Sequence, residues 1–511
     1  MKNTFKYIAL AAVVALASCE AEFDNPVTDE GFFTSGDANL TNYVAMGNSL
    51  TAGFADSALY ITGQEDSYPN IMAQQFALAG GSESFSQPLM ADNLGGLLLS
   101  GNQIAQNRFV LAVDANGNPG PAVLEGMPTT EVTNVLSGPF NNMGIPGAKS
   151  FHLVTPGYGS IAGVAAGTAN PYFARIASSE SATVLGDATA AGPSFFSLWI
   201  GNNDILGYAT SGGSGVDQTG NLDPSTYGGS DITDPNVFAS VYSQQVEALV
   251  AGGNGGVLFN IPDVTSIPFF TTVPGQSIPL DAPTAELVNS NFALYNTAVL
   301  PGLAGLGVIS AEEAAARQVN FSAGVNFPIM TDDDLTDITL ILQGPPFNLD
   351  AATAGLLGQL RQANAGDLVV LTAASVLGTL ADPANPLSIN GVAVPLADQF
   401  VLTATEQANV AAAAASYNAT IQGLATANGL AFVDARSELE RVAGSGIAYD
   451  GGVLTDTFVT GGAFSLDGVH PTPRGYAYVA NLAIQAINNT YNATIPQVNI
   501  GDYPTITAAN N

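Results

Sequence analysis

The sequence predicts an α/β fold, a parallel sheet covered by helices on both faces in a three-layer α/β/α sandwich. Short uninterrupted apolar runs recur, each of a length suited to a buried strand and each closed by glycine, asparagine or proline. Stretches of helical periodicity stand between them, and this alternation of strand and helix is the pattern of a doubly covered parallel sheet.

Taken in order, the first run, Asn42 to Met46, closes in Gly47-Asn48-Ser49-Leu50-Thr51-Ala52-Gly53, a buried strand ending in a glycine-bounded turn with Ser49 at its carboxyl end. The spacing of apolar residues then predicts a helix over Tyr68 to Leu78. Phe195 to Ile200 is the next strand and ends in Gly201-Asn202-Asn203-Asp204. A helix over Val237 to Val250 leads into the strand Gly256 to Ile261, which ends in Pro262-Asp263. A helix over Thr405 to Ala427 precedes the strand Leu430 to Asp434, and a last helix is predicted over Pro473 to Asn488. In such sheets ligands bind beyond the carboxyl ends of the strands. Two stretches break the rhythm and read as insertions able to form a cap. Residues 80–140 are rich in glycine and asparagine with short apolar patches such as Leu97-Leu98-Leu99, and residues 268–400 mix short pieces with many prolines. The run Asp332-Asp333-Asp334 lacks the alternating oxygen ligands of a calcium loop and reads as a helix N-terminus. Trp199, inside an apolar strand, reads as core.

The chain opens with Lys2 and Lys6 followed by an apolar stretch from Tyr7 to Leu16, too brief to span a bilayer, which marks residues 1–18 as a secretory signal. Leu16-Ala17-Ser18-Cys19 resembles the lipobox of bacterial lipoproteins, in which the cysteine is lipidated and becomes the mature amino terminus. Cys19 is the sole cysteine, so no internal disulfide can form, and a lipid attachment point is the better account of the thiol. Residues 19–39 are acidic and polar, with Pro26 and Gly36, and read as a tether to a membrane; the folded domain is expected over 40–495 and a tail over 496–511. The resemblance implies a lipid-anchored protein of the bacterial cell envelope, and the outer membrane is the expected side, although Glu20 does not by itself sort inner from outer. A formal net charge of −33 is repelled by nucleic-acid phosphates, which excludes nucleic acid as a partner.

Only two histidines occur, His152 and His470. Nucleophilic ester chemistry needs an imidazole base and a carboxylate to orient it. Asp467 stands three residues before His470 in Ser465-Leu466-Asp467-Gly468-Val469-His470-Pro471-Thr472, close enough to curl its carboxylate toward one ring nitrogen while the other faces a serine. His152 is the rival base, but no Asp or Glu lies between Glu131 and Glu180 to orient it. Lys149, the lysine left once residues 1–18 are removed, reads as a partner in a local ion pair or as an aid to an anionic substrate. Two histidines and one cysteine cannot build the usual zinc ligand sets. No serine has glycine at both flanking positions of a Gly-x-Ser-x-Gly elbow, which argues against an α/β-hydrolase.

Four short blocks, in order, resemble the SGNH hydrolases, also called the GDSL esterase/lipase family. Gly47-Asn48-Ser49-Leu50 is similar to Gly-Asp-Ser-Leu, with Asn48 in place of aspartate. Asn142-Met143-Gly144-Ile145-Pro146-Gly147-Ala148-Lys149 is similar to the second block, Gly201-Asn202-Asn203-Asp204 to Gly-x-Asn-Asp, and Asp467-Gly468-Val469-His470 to Asp-x-x-His. The resemblance implies a flavodoxin-like parallel sheet and a serine ester hydrolase that needs no cofactor or metal. Ser49, His470 and Asp467 would be nucleophile, base and orienting acid. The oxyanion hole would be formed by the backbone of Ser49, by Gly147 (or Gly144) and by the side chain of Asn203. The expected substrate is a small-molecule or lipid ester; the alternatives are a deacetylase of acetylated carbohydrate and an inactive surface-binding lipoprotein on the same fold.

Overall fold

The computed structural model describes residues 31–114 and 117–509. The segment read as a secretory signal, Cys19 and the first part of the acidic segment lie outside these residues.

Five parallel strands form the centre: β1 (Tyr43–Gly47), β2 (Asn142–Gly144), β3 (Phe195–Trp199), β4 (Gly255–Phe259) and β5 (Ala431–Val433). Their order across the sheet is β5-β4-β3-β1-β2, and every pairing is parallel. The apolar runs are continuous because both faces are covered. Val44, Met46, Phe196 and Leu198 point into one core, while Tyr43, Ala45, Phe195 and Trp199 point into the other. The first core is closed by α2 (Val184–Ala190), α4 (Pro235–Val250) and α5 (Ala404–Asn428), the second by α1 (Tyr68–Leu78) and α7 (Pro473–Tyr491). Two shorter helices, α3 (Asn203–Thr210) and α6 (Ala435–Gly444), start at the carboxyl ends of β3 and β5.

Strand β2 was not among the strands expected from the sequence. It has three residues, begins with Asn142 and ends with Gly144, so no apolar run announces it. Its place is fixed by pairing with β1 in the register Ala45 to Asn142 and Gly47 to Gly144. The helix ends follow local chemistry. Thr403 Oγ1 accepts from the N–H of Glu406 while a Glu406 carboxylate oxygen accepts from the N–H of Thr403, a reciprocal cap that starts α5. Thr472 Oγ1 accepts from Gly475 N at 3.1 Å, and Pro473 fits the first turn of α7, where its missing N–H costs nothing.

The chain links β1 to β2 on one side and then returns to β3 on the other, so the direction of winding reverses between β1 and β3. A reversal of this kind opens a crevice at the carboxyl ends of the two strands. Ser49 follows β1 directly, and Asn203 opens α3 after β3.

Residues 80–140 hold a three-stranded patch and a hairpin, Phe109–Val113 with Pro119–Val123. Residues 268–400 build a core of their own around Leu300, Leu303, Ile338 and Leu342. The helix start expected at Asp332-Asp333-Asp334 is not there. These residues form a turn, the next helix begins at Thr339, and Asp332 is instead drawn into an ion pair with Arg361. Part of the acidic segment read as a tether joins the packing: Thr34 N donates to Thr494 Oγ1 at 2.9 Å, Asp37 N donates to the carbonyl of Tyr491, and Ala38 is buried. The last residues also pack, with Ile500 in the second core and Ala509 N donating to Leu111 O. Among the described residues, no helix is long and apolar enough to cross a membrane.

Candidate active site

Ser49 begins a single helical turn, Ser49–Ala52, directly after β1. Asn48 caps it by accepting from Leu50 N at 3.0 Å, and the turn ends at Gly53, whose φ of 83° is left-handed. His470 lies on the loop before α7, 421 positions further on, and its Nε2 stands 2.9 Å from Ser49 Oγ. Its Nδ1 stands 2.8 Å from Asp467 Oδ2. The structure thus brings Ser49, His470 and Asp467 into one hydrogen-bonded line.

Asp467 is well supplied with donors. Its Oδ1 accepts from the N–H of Val469 and of His470, each at 2.9 Å, and from Ser465 Oγ at 3.0 Å. Its Oδ2 also accepts from Ser57 N at 2.9 Å. Burial alone would push this carboxyl up, but the adjoining His470 and these hydrogen bonds outweigh it and hold the group down at about 2. Asp467 is therefore a fixed negative charge facing the imidazole.

The donor from Ser57 depends on a contorted turn. Asp56 and Ser57 have φ of 52° and 64°, both left-handed in residues that carry a Cβ. Asp56 holds the turn against the histidine loop: its Oδ1 accepts from Leu466 N at 3.0 Å, its Oδ2 accepts from Tyr60 OH at 2.9 Å, and its own N–H donates to Ser465 Oγ. Phe54 lies against the imidazole with ring centroids 4.7 Å apart. Sequence reasoning missed Phe54, Asp56, Ser57 and Ser465. No motif marks them; the only local signal is a pair of small polar residues of the kind that tolerate left-handed backbone.

Asn203 Nδ2 donates to Ala148 O at 2.9 Å, which uses one of its two hydrogens and ties α3 to the loop carrying Gly147. The N–H groups of Ser49 and Gly147 are engaged by no partner among the described residues. Gly147 is exposed with φ of 80°, and a Cβ there would meet nothing closer than 3.9 Å, so conformation rather than space calls for glycine. Gly144 differs: it is buried, and its N–H is taken by Asn142 Oδ1 at 3.0 Å.

The remaining candidates stand elsewhere. His152 Nδ1 accepts from Lys149 N at 3.1 Å, its ring stacks on Tyr158 at 4.4 Å, and burial, with Lys149 beside it, pushes it down to about 4. Among the described residues Lys149 forms no ion pair; its Nζ donates to the carbonyls of Asp231 at 2.6 Å and Gly228 at 3.3 Å. Asp204, fully buried, accepts from Ser150 N and Oγ and so pins the same loop to α3.

A cavity of about 120 Å³ opens beside Ser49 and His470. Its walls are mainly apolar: Leu206, Val264 and Ile267 on one side, Leu439, Val442 and Leu482 on the other. Trp199 is buried, stacked on Phe259 at 4.9 Å, and reaches the cavity as well. The insertions contribute none of its lining. Leu97 to Leu99 do not line it; Leu97 is buried in a separate small cluster with Ala52 and Leu59.

Compared with family models, curated proteins and solved structures, the chain matches none.

Proposed function

We propose that this chain is a serine ester hydrolase working through an acyl-enzyme on Ser49, and that its fold is of the SGNH type. The observation that carries the reading is the unbroken line from Ser49 Oγ to His470 Nε2 and from Nδ1 to Asp467 Oδ2 at 2.9 and 2.8 Å. A serine hydroxyl attacks an ester carbonyl only when a base takes its proton, and His470 is within reach to do so. Asp467 fixes the tautomer and stabilises the imidazolium as it forms. The proton then passes to the departing alcohol, and water deacylates Ser49 by the same route. Negative charge on the tetrahedral oxygen would meet the N–H groups of Ser49 and Gly147 and the second hydrogen of Asn203 Nδ2, each such donor being worth ~3 kcal/mol of barrier. The apolar lining of the cavity favours the acyl chain of an ester over an acetylated sugar.

The test is covalent labelling by a fluorophosphonate. The folded protein is expected to label on Ser49, and Ser49→Ala to remain unlabelled. A folded protein that never labels favours the inactive binding protein instead. On the sequence of residues 1–19 alone, the proposal includes export, a lipid on Cys19 and an outer-membrane location in a bacterial envelope. Metabolic labelling with a palmitate analogue, lost in Cys19→Ala, checks the lipid.

A further inference from the structure

Away from the proposed active site, Asp333, Asp398 and Glu406 bring one carboxylate oxygen each to within 4.8 Å of one another. They come from three parts of the chain: the turn after Ile329–Thr331, the end of the 268–400 insertion, and the first turn of α5. Glu406 is only 1% exposed. One of its oxygens accepts from Thr403 N, but Oε1 is buried with no hydrogen-bond partner. Asp398 repeats the pattern: Oδ1 accepts from Asp333 N at 3.3 Å, and Oδ2 is buried with no partner. Burying a carboxylate oxygen with nothing to replace its water is expensive, and two such oxygens in one cluster demand a compensating charge.

Among the described residues, no salt bridge reaches Asp333, Asp398 or Glu406. Arg361 is consumed by Asp332 and by a two-pronged pairing with Asp367. Backbone packs closely against the cluster here. Gly213 lies so close that a Cβ on it would come within 2.1 Å of Glu406 Oε1, and one on Gly212 within 2.4 Å of the Asp398 carbonyl.

We propose that Asp333, Asp398 and Glu406 bind one calcium ion. The donors are all hard oxygens, which suits calcium, magnesium or manganese and excludes metals that prefer nitrogen or sulfur. Three converging carboxylates favour calcium, because magnesium keeps most of its waters and takes one or two carboxylates in strict octahedral geometry. Asp333 is exposed, leaving one side for water ligands. The ion would clamp the insertion to the start of α5 and to Gly212 and Gly213, which follow the helix that carries Asn203. This inference is independent of the chemistry at Ser49.

The experiment uses the whole purified protein, stripped with EDTA, titrated calorimetrically with CaCl2 and in parallel with MgCl2 at neutral pH, alongside thermal unfolding. The expected result is one calcium per chain and an unfolding midpoint that climbs with CaCl2. Glu406→Gln keeps the cap of α5, since glutamine serves that position equally. It and Asp398→Asn should each lose the calcium response and, in EDTA, unfold at a higher temperature than stripped wild type. Absence of calcium uptake by wild type overturns the proposal and leaves shared protons as the occupants. It is equally overturned if both variants bind calcium like wild type, or if magnesium binds as tightly as calcium.

Discussion

Asn48 Nδ2 donates to Asn202 Oδ1 at 3.2 Å, joining the loop after β1 to the loop after β3 across the crevice. The same side chain caps the Ser49 turn with its oxygen, so both ends of the amide are in use. An aspartate at 48 would keep the cap and lose this donor. Asn202 makes no capping bond of its own and is free to turn its amide and donate instead. Asn48→Asp is therefore expected to be close to neutral in urea unfolding and in ester turnover. Asn48→Ala, which loses cap and link together, should cost about 1–2 kcal/mol.

Removing the nucleophile or base should leave a folded, inactive protein. Ser49→Ala and His470→Ala are each expected to lower kcat on a nitrophenyl ester by roughly 10³-fold or more, with unchanged circular dichroism. His152→Ala should be mild, because its imidazole is engaged with Lys149 N and Tyr158. Loss of turnover in that last variant would refute the choice of base.

Stability should respond to acid through Asp467, the carboxylate that faces His470. Asp467 is held at about 2, below its unbonded value of 3.8. Its folded value is depressed, so its contribution to stability is complete above 3.8 and is lost as pH falls from there toward 2. Asp467→Asn should abolish that acid-dependent part of the unfolding curve and reduce kcat by up to roughly 10⁴-fold. Rate and far-ultraviolet dichroism measured on the same pH series check both.

Chain length should matter at the apolar cavity. Each methylene buried is worth ~0.8 kcal/mol, which predicts roughly a fourfold gain in kcat/KM per carbon added from acetate until the cavity is filled. Leu482→Trp intrudes on the wall and should erase the gain for long chains while sparing acetate. A flat chain-length profile, or best activity on acetylated xylan, would argue for the carbohydrate deacetylase.

What the sequence disclosed and what it hid divide along physical lines. Ser49, His470 and Asp467 were legible because the chemistry restricts residue type and two histidines leave few choices. Four strands were legible because burial on both faces demands continuous apolar runs, and α1 spans Tyr68–Leu78 as its periodicity indicated. Strand β2 was hidden because pairing with β1, rather than its own composition, makes it a strand. Ser57 was hidden because its service to Asp467 is a backbone N–H aimed by a left-handed turn, and a backbone donor leaves no trace in residue type. The cavity wall was hidden because Leu439 and Leu482 belong to helices whose apolar stripes look like ordinary core from sequence.

Helix α7 begins beside His470 and runs back along the sheet for 19 residues, about 28 Å at 1.5 Å per residue. Thr34 and Asp37 meet the chain at its far end. Thr34 and Asp37 therefore stand at the pole opposite the cleft. A bulky label attached at that segment would leave the mouth beside Ser49 unobstructed.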